Sequence, residues 1–179
     1  MAQKRKQFDG LFAQLQDVQD SRGKQLNTVL FSKTGECSVI FEMENPVQKW
    51  CTDAEQYIAF QDVLANIVQT LGEGYALQKQ DVFSRQQYHH EMSEHAEFLS
   101  HSYFKFFEGR EYTEIRTFLI ISQEAIRSSF IKYDPKRWMD FHEKVSKVSD
   151  ILAEKGIWHR KLSKDEVNEY LHRFMAVCF

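Results

Sequence analysis

The sequence predicts an α+β fold, with a small, mostly antiparallel sheet of about four strands covered by helices and a C-terminal helical pair. Three observations support this prediction. Hydrophobic residues make up 42% of the 179 residues, which is enough for a core. Short β-type runs alternate with longer segments of helical periodicity. Helix-start and helix-stop residues separate the two kinds of segment. The expected order of elements is ββαβαβαα, with the sheet covered on one face.

Four segments have the pattern of strands: 26–32, 37–44, 75–83 and 115–122. The first two flank a short polar connection that contains Gly35, which is typical of a hairpin. Pro46 ends the second strand, because proline donates no hydrogen bond to a ladder. The fourth segment is apolar on both faces in its middle, which predicts a central strand.

Helical periodicity appears in five segments. Two have capping boxes, at 52–55 and 163–166, and a third begins at Asp134-Pro135. Gly72 and Gly156 supply stops. The residues expected to face inward are Phe8, Leu11, Phe12, Leu15 and Val18; Tyr57, Phe60, Leu64, Ile67, Val68 and Leu71; Met92, Leu99, Tyr103 and Phe106 of a helix at 91–107; Trp138, Phe141, Val145, Val148 and Leu152; and Val167, Tyr170, Leu171 and Phe174.

The predicted organisation is an N-terminal arm (1–24), a sheet-plus-helices core (25–124) and a C-terminal helical extension packed on the same domain (125–179). No apolar run approaches the length of about 18 residues that a membrane helix needs. The basic N-terminus leads into no apolar segment, so no secretory signal is expected. The three cysteines are widely and irregularly spaced, which fits a reducing cytoplasm. The net charge of −3 argues against a general nucleic-acid binder.

The chain has no motif of a nucleotide-binding enzyme. A phosphate-binding loop needs G-x-x-x-x-G-K-[ST] between a strand and a helix, and neither this pattern nor G-x-G-x-x-G occurs. We therefore expect no catalytic residues and no cofactor in this chain. Cys51 lies before a helix start, where thiol pKa values fall, but spacing assigns it no partner histidine.

A histidine-rich run at 89–95 resembles a metal-binding motif without matching it. A zincin helix needs histidines four residues apart, but the residue four after His90 is Glu94. His90 and Glu94 are therefore only weak candidates for metal ligands, and a solvated helix start is favoured.

An aromatic cluster lies between residues 103 and 112. Its members are Tyr103, Phe104, Phe106, Phe107 and Tyr112. Such side chains stack on bases in some RNA-binding proteins, but here most of them lie on a predicted helix and no RNP-type run occurs, so core packing is favoured. If these side chains are exposed instead, they mark a contact surface, with Tyr103, Phe107, Arg110 and Tyr112 as its candidate residues.

Three stretches, read in order, resemble one family. They are the hairpin KTGECSVIFEMENP (33–46), the strand KQDVF (79–83), and FLSHSY (98–103) followed by Phe107, Arg110 and Tyr112. Together they resemble the TraG-type ATPase of conjugative transposons, one of the large cytoplasmic ATPases of bacterial type IV secretion.

The resemblance implies a non-catalytic N-terminal docking and assembly domain, because the family's Walker motifs, which bind ATP and Mg, lie in a C-terminal motor that has no counterpart here. The implied partners are inner-membrane components of a conjugation channel, the protein's own motor domain and other copies of the chain. The implied location is the cytoplasmic face of the inner membrane. The alternative is a stand-alone nucleic-acid-binding α+β module.

Overall fold

The computed structural model describes residues 12–19, 25–32, 35–50, 53–89, 98–125 and 135–176. The strands are β1 (Phe12–Gln19), β2 (Gln25–Ser32), β3 (Cys37–Met43), β4 (Tyr75–Gln87), β5 (Glu111–Gln123) and β6 (His159–Lys161). The helices are α1 (Pro46–Trp50), α2 (Ala54–Leu71), α3 (Phe98–Phe107), α4 (Pro135–Glu154) and α5 (Lys164–Ala176). The α+β prediction is confirmed, with six strands in the sheet rather than about four.

All strand pairs are antiparallel, and the main strand order is β1-β2-β3-β5-β4. β5 lies between β3 and β4, so the prediction of a central strand is confirmed. β2 and β6 share the other edge of β3: β2 pairs near its start, at Ser38, and β6 pairs near its end, at Glu42. The short β6 escaped the sequence analysis, because three residues show no periodicity.

Helices cover both faces of the sheet, so the expectation of one covered face was wrong. On the first face, α2 and α4 pack on alternate residues of the central strands, such as Phe41 and Leu119. On the second face, α5 packs on Ile40 and Phe118. The two C-terminal helices therefore lie on opposite faces. The chain crosses at the sheet edge through β6, and this crossing depends on pairing with a strand more than a hundred residues earlier.

Local signals in the C-terminal helices were reliable. Phe141, Val145, Val148 and Leu152 of α4 are fully buried, as the stripe predicted, whereas Trp138 is only partly buried. The capping box at the start of α5 is present, with the backbone N–H of Ser163 donating to Glu166 at 2.9 Å.

Other predictions about helices were wrong in part. The segment 12–19 is the strand β1 rather than part of an amphipathic helix, and Leu15 and Val18 pack against different cores. Asp53 caps α2, its side chain accepting from the backbone N–H of Gln56 at 3.0 Å, and Thr52 lies outside the described residues. Some side chains expected to face inward are exposed: Tyr57, Val68, Leu99, Tyr103, Phe106 and Phe174.

Candidate docking surface

The far half of the β4–β5 hairpin extends beyond the end of β3. β5 pairs with β3 only up to Thr117, whereas its pairing with β4 continues without a register shift to Glu111. The segments 82–87 and 111–116 therefore form a two-stranded arm, and α3 lies at its tip. We call these two segments the arm.

Backbone hydrogen bonds tie the end of α3 to the arm. The N–H of Gly109 donates to the carbonyl of Tyr88, and the N–H of Tyr88 donates to the carbonyl of Arg110, both at 2.9 Å. Gly109 has a φ of 72°, a left-handed conformation that glycine adopts without strain. His89 Nδ1 and Glu108 Oε1 lie 2.7 Å apart across the same junction. These contacts fix the direction in which α3 leaves the strands.

The aromatic side chains of α3 form one cluster around Phe107. The ring centroid of Phe107 lies 4.6 Å from that of Tyr103 and 5.1 Å from that of Phe106. Tyr88 of the arm contacts the other side of Phe107 edge-on at 6.3 Å. The guanidinium carbon of Arg110 lies 3.6 Å from the ring centroid of Phe106, which is cation–π geometry. The rings therefore hold one another in place.

The same aromatic side of α3 is an exposed apolar surface. The exposed fractions are 76% for Leu99 and 59% for both Tyr103 and Phe106, and no side chain from Leu99 to Phe107 is buried. The expectation of core packing for this cluster was wrong, because α3 lies at the tip of a two-stranded arm with no sheet behind it. Phe107 is half-buried, whereas Arg110 and Tyr112 are exposed. Three of the four candidate residues thus lie open to solvent.

A polar network lies at the base of the arm, where β3 ends. The Nδ2 of Asn45 donates to Thr117 Oγ1 at 2.9 Å, and that hydroxyl donates to Asp81 Oδ1 at 2.7 Å. Lys79 forms an ion pair with Asp81. Burial alone would raise the pKa of Asp81, but hydrogen bonds from Lys79 and Thr117 outweigh burial and hold the pKa below its usual value.

The same base is fixed on the second face of the sheet. The hydroxyl of Tyr170, on α5, donates to Gln80 Oε1. Gln80 lies between Lys79 and Asp81 in sequence, so three consecutive residues of β4 anchor the arm from both faces. The structure thus brings Asn45 against Asp81. These residues come from 33–46 and 79–83, two of the three stretches that resemble the TraG-type family.

A buried polar pair lies where β2 and β6 separate. The side-chain amide nitrogen of Asn27 lies 2.6 Å from His142 Nδ1. Within the described chain, Asn27 Oδ1 and His142 Nε2 have no hydrogen-bond partner. Burial lowers the pKa of His142, and the nearby charge of Lys161 lowers it further. The sequence held no signal for this pair, because the two residues meet only through the packing of α4 on the sheet.

His90, Glu94 and Cys51 lie outside the described residues. Across the described ranges, no three His, Cys, Asp or Glu side chains are grouped so that they could hold a metal ion. Cys37 is buried, and burial raises the pKa of its thiol.

No helix in the described part of the chain combines the length and the apolar character that crossing a membrane requires. No family model matches the chain, and no curated protein matches it.

Proposed function

We propose that this chain is a docking domain, and that α3 is the surface with which it binds a protein partner. The observation that supports this proposal is the apolar surface of Leu99, Tyr103 and Phe106, exposed on a helix whose direction the arm fixes. With the resemblance to TraG-type ATPases, the proposed partner is an inner-membrane component of a conjugation channel. The proposed context is the non-catalytic N-terminal part of a conjugation ATPase at the cytoplasmic face of the membrane.

The chemistry of the surface suits a protein partner. Tyr and Arg are enriched among the few residues that supply most of the affinity in protein interfaces. Arg110 already rests on the Phe106 ring, so little side-chain entropy remains to be lost when a partner covers it. The matching partner surface is an apolar groove with an acidic or carbonyl acceptor for the guanidinium.

The anchored base supports the same proposal. Truncating an exposed side chain rarely destabilises a fold by more than about 0.5 kcal/mol. Variants of α3 therefore separate binding from folding, because the network at Asn45, Thr117 and Asp81 lies away from the contact surface.

The test is site-specific photo-crosslinking in donor cells that carry the gene and its conjugative element. A photoreactive residue at Tyr103 should crosslink to a membrane protein encoded by the same element. Leu99→Ser combined with Phe106→Ser should reduce that product and lower the transfer frequency at least tenfold, because a tenfold loss corresponds to only about 1.4 kcal/mol. Met139→Ser is the matched control, since Met139 is an exposed apolar residue on α4 in the body of the domain.

Two results would contradict the proposal. One is normal transfer by the double variant at normal protein abundance. The other is salt-sensitive binding of single-stranded DNA that the double variant abolishes, which would favour the nucleic-acid-binding alternative.

A further inference from the structure

The outer edge of β4 is long and regular. All 13 residues pair with β5 in one register without a bulge, and no strand of the described chain pairs with the other side. The opposite edge of the sheet differs, since the β1–β2 pairing has register shifts near both ends of β1. Bulges protect an edge against pairing with another chain, whereas a regular edge is a template for it.

The hydrogen bonds at the two ends of the hairpin show which β4 residues face the open edge. The N–H of Glu124 donates to the carbonyl of Gly74, and the N–H of Tyr88 donates to the carbonyl of Arg110. Both pairs continue the β4–β5 register, and in an antiparallel ladder every second pair is hydrogen-bonded. Even-numbered residues of β4 therefore direct their backbone groups to β5. The odd-numbered residues, 75 to 87, direct theirs outward.

The side chains at these odd positions are self-complementary. Leu77, Lys79, Asp81 and Phe83 are, in order, apolar, cationic, anionic and apolar. If two copies of β4 pair antiparallel about Gln80, Leu77 lies opposite Phe83 of the second copy, and Lys79 lies opposite Asp81. Two-fold symmetry repeats each pair, and favourable cross-strand pairs contribute about 0.2–1 kcal/mol each.

Neighbouring registers are less favourable. Centring the pair on Asp81 sets two carboxylates opposite each other, and centring it on Val82 sets Lys79 opposite Arg85. The register about Gln80 also accounts for Phe83, whose side chain is 65% exposed in the single chain. The even positions from Ala76 to Ser84 are uncharged, so they introduce no repulsion.

We propose that a second copy of this chain pairs along the outer edge of β4, antiparallel and centred on Gln80, so that one sheet runs through both copies. This interface uses the edge of β4 and none of the α3 side chains, so it is tested separately from the docking proposal.

Sedimentation equilibrium of the purified chain tests the proposal. The chain should form a dimer. Lys79→Asp alone and Asp81→Lys alone should each raise the dissociation constant at least tenfold, because each sets like charges opposite one another at two places. An equimolar mixture of the two variants should dimerise again, since the charges become complementary across the mixed pair.

Circular dichroism of each variant reports whether it folds. If Asp81→Lys does not fold, Phe83→Ser should weaken the dimer and Tyr112→Ser should not, because both side chains are exposed but Tyr112 lies on β5. A monomer at the highest attainable concentration would overturn the proposal. So would a dimer that neither the charge variants nor Phe83→Ser weakens.

Discussion

The near and far halves of the β4–β5 hairpin differ in burial although they share two strands and one register. In the near half, Leu119 and Ile121 are fully buried beneath α2 and α4. In the far half, Phe83 and Tyr112 are exposed, and at its base Val82 is buried with the residues of α5. The apolar character of the strands is therefore a poor guide to burial, which depends on whether a helix lies over that part and that face of the hairpin.

The boundary between the halves is the end of β3. Thr117 is the last residue of β5 that pairs with β3, and it is also a member of the polar network at the base of the arm. Beyond this point the hairpin has no third strand. Two-stranded hairpins are marginally stable by themselves, and here the polar network, the α3 junction and the packing of Val82 with α5 support the arm.

The largest expected effect is the difference in stability loss between a substitution in the core and one in α3. Phe141→Ala removes a fully buried ring from the core and should lower the free energy of unfolding by about 3–5 kcal/mol. Phe106→Ala removes an exposed ring from α3 and should change the free energy of unfolding by no more than about 0.5 kcal/mol. Urea denaturation of both variants measures the difference. Similar losses would show that α3 is part of the core.

The next effect tests the base of the arm. Thr117→Val keeps the shape of a buried side chain but removes the hydroxyl that joins Asn45 to Asp81, and it should cost about 1–3 kcal/mol. The substitution should also accelerate amide hydrogen exchange in the segments 82–87 and 111–116 more than in α4. Ser122→Ala is a control, since Ser122 shares a side-chain hydrogen bond with Ser38 in the near half. Equal changes in exchange from both variants would argue against a specific anchor.

The smallest effect concerns the capping box of α5. The hydrogen bond from the backbone N–H of Ser163 lowers the pKa of Glu166 most, and the hydrogen bond from Arg160 lowers it further, to about 2. The folded state thus holds the charged form more strongly than the unfolded chain does, and this stabilisation is present above the unfolded pKa of about 4.3. It should be lost as the pH falls from about 5 towards 2. Solvent screening limits it to less than about 1 kcal/mol, because the side chain is 38% exposed.

Acid denaturation of Glu166→Gln should show a shallower loss of stability in that pH range than the parent chain. Glu143→Gln is a control, since the ion pair of Glu143 with Lys147 lies on the surface of α4. An unchanged slope in Glu166→Gln would contradict the role assigned to the cap.

Much of the fold followed from local signals. The ends of α2 and α4 were predictable from Gly72 and Gly156, because both adopt the positive φ that terminates a helix. The hairpin of β2 and β3, the stripe of α4 and the cap of α5 also depend on residues that are close in the chain.

The candidate docking surface was predictable only in part. Tyr103 and Tyr112 were named as a conditional contact surface, but the sequence favoured burial for them. An amphipathic helix has the same pattern whether its apolar side meets a sheet or solvent. The length of β3 decided the outcome, because it ends at Met43 and leaves the arm without a third strand.

The sequence by itself determined the α+β class, most strands and most helix ends, since backbone preferences and short-range periodicity act within a few residues. Only the tertiary structure decided that α4 and α5 lie on opposite faces, that 12–19 is a strand, and that α3 projects from the body. The positions of α3, α4 and α5 depend on strands that pair with residues far apart in the chain, whereas 12–19 is a strand because it pairs with the neighbouring β2. A strand or helix carries no local record of the element it packs against.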